Sequence, residues 1–195
     1  MKLPDIIEVA LKVTRVFERL GITYHIGGAL ASSAFGVART TLDVDIVADI
    51  KSEQAHALAE FLKEEFYVDS DTILEAIQKQ SSFNLIHLET LFKVDVFPLK
   101  GRSFDRQAFS RRSLRVVSEE PLRQLYFPAP EDVILVKLEW YKAGGEISER
   151  QWKDVLGVLK VQGSQLDMAY LSKWAKELNI SDLLKKAFDE AGVFQ

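Results

Sequence analysis

Two aspartates stand at i and i+2 in the run Leu42-Asp43-Val44-Asp45-Ile46-Val47-Ala48. The apolar residues Leu42, Val44 and Ile46 alternate with the acids, the period-two pattern of a half-buried strand. Both carboxylates then point the same way, about 7 Å apart along the strand. A third acid, Asp95, lies in Leu91–Phe97, a second strand-like run that carries Lys93 and Asp95 on one face and Val94 and Val96 on the other. If those two strands are neighbours, three carboxylates converge. Close carboxylates repel one another unless a cation lies among them, and hard divalent ions, chiefly Mg²⁺, take all-oxygen ligand sets. The chain has no cysteine, and its three histidines (His25, His56, His87) are scattered. A soft-metal or zinc-type centre is therefore not expected, nor is thiol or disulfide chemistry.

Upstream lies a device suited to anions. A short β-branched and aromatic run, Ile22 to Ile26, meets Gly27-Gly28, and a helix restarts over Ala29 to Ala34. Glycines let backbone approach a phosphate, and a helix N-terminus offers free N–H groups with a positive dipole. Ser32 and Ser33 fall in the first turns of that helix. Arg39, Thr40 and Thr41, just before the acidic strand, are candidates for further phosphate contacts. Taken singly, Asp-Val-Asp reads as a solvated strand face and Gly-Gly as a turn. The order of the parts carries the signal: apolar strand, Gly-Gly, helix, arginine, acidic strand, later strand with one acid.

The remaining periodicities supply elements to position these groups. Residues 4–20 read as an amphipathic helix stopped by Gly21, 52–66 as a helix, 72–79 as another, and 83–88 with 91–97 as a hairpin around Glu89-Thr90. Residues 100–123 read as irregular and basic, through Lys100, Arg102, Arg106, Arg111, Arg112, Arg115 and Arg123. That stretch is either a solvated loop with an edge strand or a landing strip for an anionic acceptor. Pro128-Ala129-Pro130 marks a boundary. Beyond it only helices are expected, over 131–143, 148–161, 167–178 and 181–191. The fold class is α+β: a mixed sheet with flanking helices over residues 1–128, then a helical subdomain over 129–195.

Within that second part, Lys137 is embedded in the apolar run Val133-Ile-Leu-Val-Lys-Leu. A buried ammonium is costly unless it pairs, snorkels or meets a bound anion. Two readings stay open: a salt bridge to Asp154 or Glu139, or contact with a triphosphate. Trp140, Tyr141, Trp152 and Trp174 read as helix-packing core rather than base-stacking surface.

Composition bounds the rest. The 195 residues are 47% hydrophobic and 28% charged, values of a globular chain rather than a disordered or fibrous one. The formal net charge of −4 argues against broad coating of nucleic acid, though not against a local basic patch. The opening Met-Lys-Leu-Pro-Asp lacks a basic segment followed by an apolar one, so no signal peptide is expected. No run approaches the length of a membrane span, so a cytoplasmic location is the expectation. No heptad or isolated apolar patch identifies an oligomer.

The ordered set His25-Ile26-Gly27-Gly28, Leu42-Asp43-Val44-Asp45-Ile46 and Val94-Asp95-Val96 resembles the nucleotidyltransferase superfamily that shares the DNA polymerase beta fold. Many members have serine after the first glycine, where this chain has Gly28. The rest is similar, more loosely, to minimal bacterial members that include the abortive-infection nucleotidyltransferase toxins, through Lys137 and Glu149-Arg150-Gln-Trp-Lys-Asp154. The resemblance implies two Mg²⁺ ions, a nucleoside triphosphate such as ATP, and transfer of a nucleotidyl group to a hydroxyl or phosphate on RNA or tRNA, protein or a small molecule. It assigns Asp43, Asp45 and Asp95 to metal binding and catalysis. Together with the residue reading above, it leaves Gly27, Gly28, Ser32, Arg39, Thr40 and Lys137 as the candidates for binding the nucleotide. An antitoxin partner is a further implication. Kanamycin- and lincosamide-type antibiotic nucleotidyltransferases share the same core and offer a small-molecule alternative. A nucleotide-binding module without catalysis is the reading from another class, against which the third carboxylate argues.

Overall fold

Alternation of apolar and acidic residues builds the centre of the sheet. In the computed structural model, which describes residues 5–193, β2 (Asp43–Ala48) and β5 (Lys93–Pro98) pair in parallel. Their even-numbered residues Val44, Ile46, Val94 and Val96 are fully buried, and the odd-numbered ones are half-buried. The start of the chain, where no leader is expected, and the last two residues lie outside the described residues.

Around this pair β1 (Tyr24–Ile26), β4 (Phe83–His87) and β3 (Phe66–Tyr67) complete a mixed five-stranded sheet, ordered β1-β2-β5-β4-β3. β1 runs antiparallel to β2, β4 antiparallel to β5, and β3 antiparallel to β4. The β4–β5 hairpin turns where Glu89-Thr90 suggested. There the Thr90 hydroxyl lies 2.8 Å from His87 Nδ1.

Helices cover the apolar side. α1 (Ile6–Arg19) starts where Asp5 accepts a hydrogen bond from the Glu8 amide, a side-chain N-cap, and it buries Val9, Ala10, Val13 and Phe17. α3 (Ala55–Leu62) is shorter than the periodicity over 52–66 suggests. Phe66 keeps the helical spacing, but it is buried by pairing as an edge strand opposite His87. α4 (Ser70–Lys79) is capped by Asp69 through the Thr72 amide at 2.8 Å.

The stretch 100–123 is ordered, contrary to expectation. It forms α5 (Ser103–Ser110), β6 (Ser113–Glu119) and the start of β7 (Leu122–Phe127), the last two a separate antiparallel ribbon. Phe104, Ala108 and Phe109 are buried at helical spacing, a sparse stripe that the dense arginines obscure.

The chain divides into two compact units. One holds the residues up to Gly27 with Thr41–Phe127, and the other holds Gly28–Thr40 with the residues from Pro128 onward. The second unit is helical: α2 (Gly28–Phe35), α6 (Pro130–Ala143), α7 (Glu149–Gln162), α8 (Met168–Glu177) and α9 (Ser181–Ala191). Gly36 follows α2 because nothing larger fits. A Cβ there would stand 2.7 Å from the Val158 amide and 2.8 Å from the Gly157 carbonyl carbon.

Side-chain carboxylates tie the helix ends together. Glu131 accepts from the Asp167 amide at 2.8 Å, and Asp132 from the Tyr170 hydroxyl at 2.6 Å. Tyr141 and Trp174 are buried, and Trp152 packs on Tyr141 while donating to Glu190. Trp140 departs from the expected core set at 51% exposed. It shares with Val136, four residues earlier, the outer face of α6, whereas Ile134, Leu138 and Tyr141 occupy the inner one.

Candidate active site

Register brings the acids together on one face of the sheet. Asp45 stands directly opposite Asp95 across the parallel β2–β5 pair, and Asp43 stands opposite Lys93. All four side chains project from the half-buried face, opposite the valines and isoleucine that build the core.

Asp95 and Asp43 each meet a neighbouring side chain. The Lys93 ammonium lies 2.7 Å from Asp95 Oδ2, and the Thr41 hydroxyl donates to Asp43 Oδ1. Thr41, a candidate for phosphate contact by sequence, is therefore engaged with an acid. The hydrogen bond from Lys93 to Asp95 holds the Lys93 ammonium above the ordinary lysine range. Partial burial opposes this, and the charges of Asp95, Asp43 and Asp45 add to it. All three carboxylates thus act on a single ammonium.

Among the described residues no three His, Cys, Asp or Glu side chains come together in a group able to hold a metal ion. The donor chemistry nevertheless fits a hard divalent cation: aspartate oxygens from adjacent strands, and no thiol.

The glycine pair divides its duties. Gly27 donates its amide to the Asp45 carbonyl at 2.7 Å, so this N–H is committed to the strand and not offered to a phosphate. A Cβ on Gly27 would meet Asp45 Cβ at 3.6 Å. Gly28 opens α2 with φ of +51°, a conformation that favours glycine. Ser32 is buried, and its hydroxyl donates to the Gly28 carbonyl at 2.9 Å, four residues back in its own helix. Ser32, a candidate for phosphate contact by sequence, is engaged within its own helix. Ser33 accepts from the Arg39 amide at 3.3 Å. Thr40 is exposed, and its carbonyl accepts from Arg39 Nη1 at 3.3 Å.

In the helical unit, Arg39 and Lys137 meet on one buried carboxylate. Arg39 forks onto Asp154 through Nε at 3.0 Å and Nη2 at 3.2 Å, and Lys137 Nζ donates to the same group at 2.7 Å. Of the two readings left open for Lys137, this geometry is the salt bridge to Asp154. Burial works to raise the pKa of Asp154. Hydrogen bonds from Arg39 and Lys137, with their charges, outweigh it and hold the carboxyl below its ordinary range. The cluster sets two cations on one anion. Sequence reasoning named Asp154 as a partner for Lys137 but did not find Arg39 there; arginine and aspartate 115 residues apart leave no local signal.

The basic residues of 100–123 turn inward in part. Arg112 stacks over the Phe109 ring at 4.5 Å and donates to the Phe109 carbonyl. Arg102 pairs with Asp105, and Arg123 with Glu8.

No protein-family model and no curated protein sequence matches the chain. Solved structures do. A nucleotidyltransferase-like antigenic protein from Paracoccidioides brasiliensis superposes with a TM-score of 0.56 at 16% identity, covering 95% of both chains. ANT(2")-Ia, in complex with adenylyl-2"-tobramycin, gives 0.52 at 10% identity, over 88% of this chain and 95% of that one. The lincosamide antibiotic adenylyltransferase LnuA, bound to lincomycin, gives 0.51 at 14% identity, over 78% of this chain and 95% of that one. The chain has the nucleotidyltransferase fold.

Proposed function

We propose that this protein is a divalent-metal-dependent nucleotidyltransferase that moves a nucleoside monophosphate from a nucleoside triphosphate to an acceptor oxygen. One observation carries the reading: Asp45 faces Asp95 across a parallel strand pair with Asp43 on the same face, within the nucleotidyltransferase fold. A sheet needs no such row, because like charges directly opposite one another cost stability.

Asp43 and Asp45 would hold one Mg²⁺ and share a second with Asp95. The ions, when bound, supply charge stabilisation for the attacking and leaving oxygens of an in-line displacement. Asp95 Oδ accepts the proton of the acceptor hydroxyl as that oxygen forms its bond to the α-phosphorus. The bond from the α-phosphorus to the bridging oxygen breaks, and pyrophosphate leaves. Thr41 fixes the rotamer of Asp43 by donating to it. Within the helical unit, Asp154 holds Arg39 and Lys137 together.

A small-molecule acceptor is the second reading. It is favoured by the engagement of Arg112 and Arg123 within the protein, which takes those two cations away from an RNA-binding strip. It agrees with the antibiotic substrates of two of the structural neighbours. Supplying purified protein with labelled nucleoside triphosphates, Mg²⁺ and either bacterial RNA or a panel of aminoglycosides and lincosamides separates the two. Label on RNA supports the first acceptor class, and label on an antibiotic the second. Nucleotide binding with no product on any acceptor would support a binding module instead. No helix among the described residues is long and apolar enough to cross a membrane.

A further inference from the structure

We propose that Lys93 is a counter-cation built into the carboxylate face, which holds Asp95 in the metal-free protein and must be displaced before a divalent ion can bind. The proposal rests on the reading of Asp43, Asp45 and Asp95 as metal ligands and adds to it a competitor from within the chain.

Lys93 is placed for this by register. It stands across the strand pair from Asp43 and two residues before Asp95, so its side chain emerges on the acidic face. Its ammonium is 2.7 Å from Asp95 Oδ2. The pair is uneven: the Asp95 side chain is 14% exposed and the Lys93 side chain 45%. The acid is fixed in the sheet, and the lysine is the partner able to leave. Its flexible four-carbon stem lets the charge swing into water at little cost.

The arrangement also explains why three acids on one face do not form a metal-holding group as they stand. Asp95 is drawn toward Lys93, and Asp43 toward the Thr41 hydroxyl. A divalent ion that takes Asp95 as a ligand therefore enters an occupied rather than an open position. Linkage makes the competition reciprocal: whatever Lys93 takes from metal affinity, the metal takes from the Lys93–Asp95 pair.

Mn²⁺ binding, followed by the loss of its free electron paramagnetic resonance signal, reads this without any turnover. The proteins are the native chain, Lys93→Met, Lys93→Gln, Lys93→Arg and Asp45→Asn. Removing the ammonium is expected to tighten Mn²⁺ binding at least roughly fivefold, the low end of ordinary site–site coupling. Lys93→Arg is expected to stay near the native affinity. Without metal, Lys93→Met is expected to melt at a lower temperature than the native protein, and Mn²⁺ to raise its melting point by more. Lys93→Gln keeps the test valid if the methionine variant does not fold.

Equal or weaker Mn²⁺ binding by folded Lys93 variants, with clear binding by the native chain, overturns the role of Lys93 alone. Absence of binding in the native protein and all variants overturns the metal reading, and this proposal with it. A native protein that binds Mn²⁺ while Asp45→Asn binds equally well overturns both as well, because the ion then lies elsewhere.

Discussion

Asp154→Asn leaves Arg39 and Lys137 facing a neutral amide in a place where the carboxylate side chain is 5% exposed. Breaking a buried ion pair by removing one partner costs about 3–5 kcal/mol. The cations here are 28% and 12% exposed and retain some water, which lowers the expected loss to about 2–3 kcal/mol. Lys137→Met is milder, about 1–2 kcal/mol, because Asp154 keeps the Arg39 fork. The double variant should lose less than the two singles together, by about 1 kcal/mol or more, since the second change removes a cation already deprived of its carboxylate. Urea titration at pH 7 measures this, with tryptophan fluorescence as the signal. All three tryptophans (Trp140, Trp152, Trp174) belong to the helical unit, so the transition reports that unit. Additivity within about 0.5 kcal/mol would refute the shared-carboxylate account.

Further expected outcomes concern packing, protonation and the charged cluster. Gly36→Ala drives a methyl into the backbone at Gly157 and Val158, and should cost about 1–3 kcal/mol in the same titration; an unchanged midpoint would contradict the close approach. Burial in the first place, with the Arg112 charge adding, lowers the pKa of His25 from 6.5 to about 4, against the raising effect of its hydrogen bond to the Ile26 carbonyl. The unfolded chain then binds more protons between those values, so stability is full above pH 6.5 and falls as pH drops toward 4, by about 3 kcal/mol at most. His25→Leu should flatten that limb in circular-dichroism urea titrations at stepped pH, and an unaltered slope would count against a neutral buried imidazole. The depressed pKa of Asp154 gives stability present above its ordinary 3.8 and lost below it, so Asp154→Asn should remove a loss that sets in at lower pH than the histidine limb.

Much of the frame is legible in the chain because local rules agree there. The two acids of Asp43-Val44-Asp45 show their shared face through strict alternation, and Lys93 and Asp95 do the same on β5. The helices after Pro130 announce themselves by periodicity and by caps such as Ser148 and Asp167. The register that sets Asp45 against Asp95, however, joins residues fifty positions apart, and alternation alone leaves the pairing open. α5 and the β6–β7 ribbon are hidden by arginines, whose charges mask a stripe of only Phe104, Ala108 and Phe109. The grouping of Gly28–Thr40 with the C-terminal helices has no local mark, because it depends on Gly36 admitting the α7 backbone. Hydroxyl partners are equally nonlocal in meaning: Ser32 turns back to its own helix, and Thr41 to Asp43. Residue type shows what a group can donate, and only packing decides to whom.

The central claim is tested most directly by transfer of label from [α-³²P]nucleoside triphosphates in Mg²⁺, comparing native protein with Asp45→Asn over the RNA and antibiotic acceptor panels. Asp45 is half-buried on the sheet face opposite the core, so its amide variant should fold and melt like the native chain. The native protein is expected to label one acceptor class, and Asp45→Asn to lose transfer by at least about a hundredfold. Label transferred by the folded Asp45→Asn variant at the native rate would contradict it.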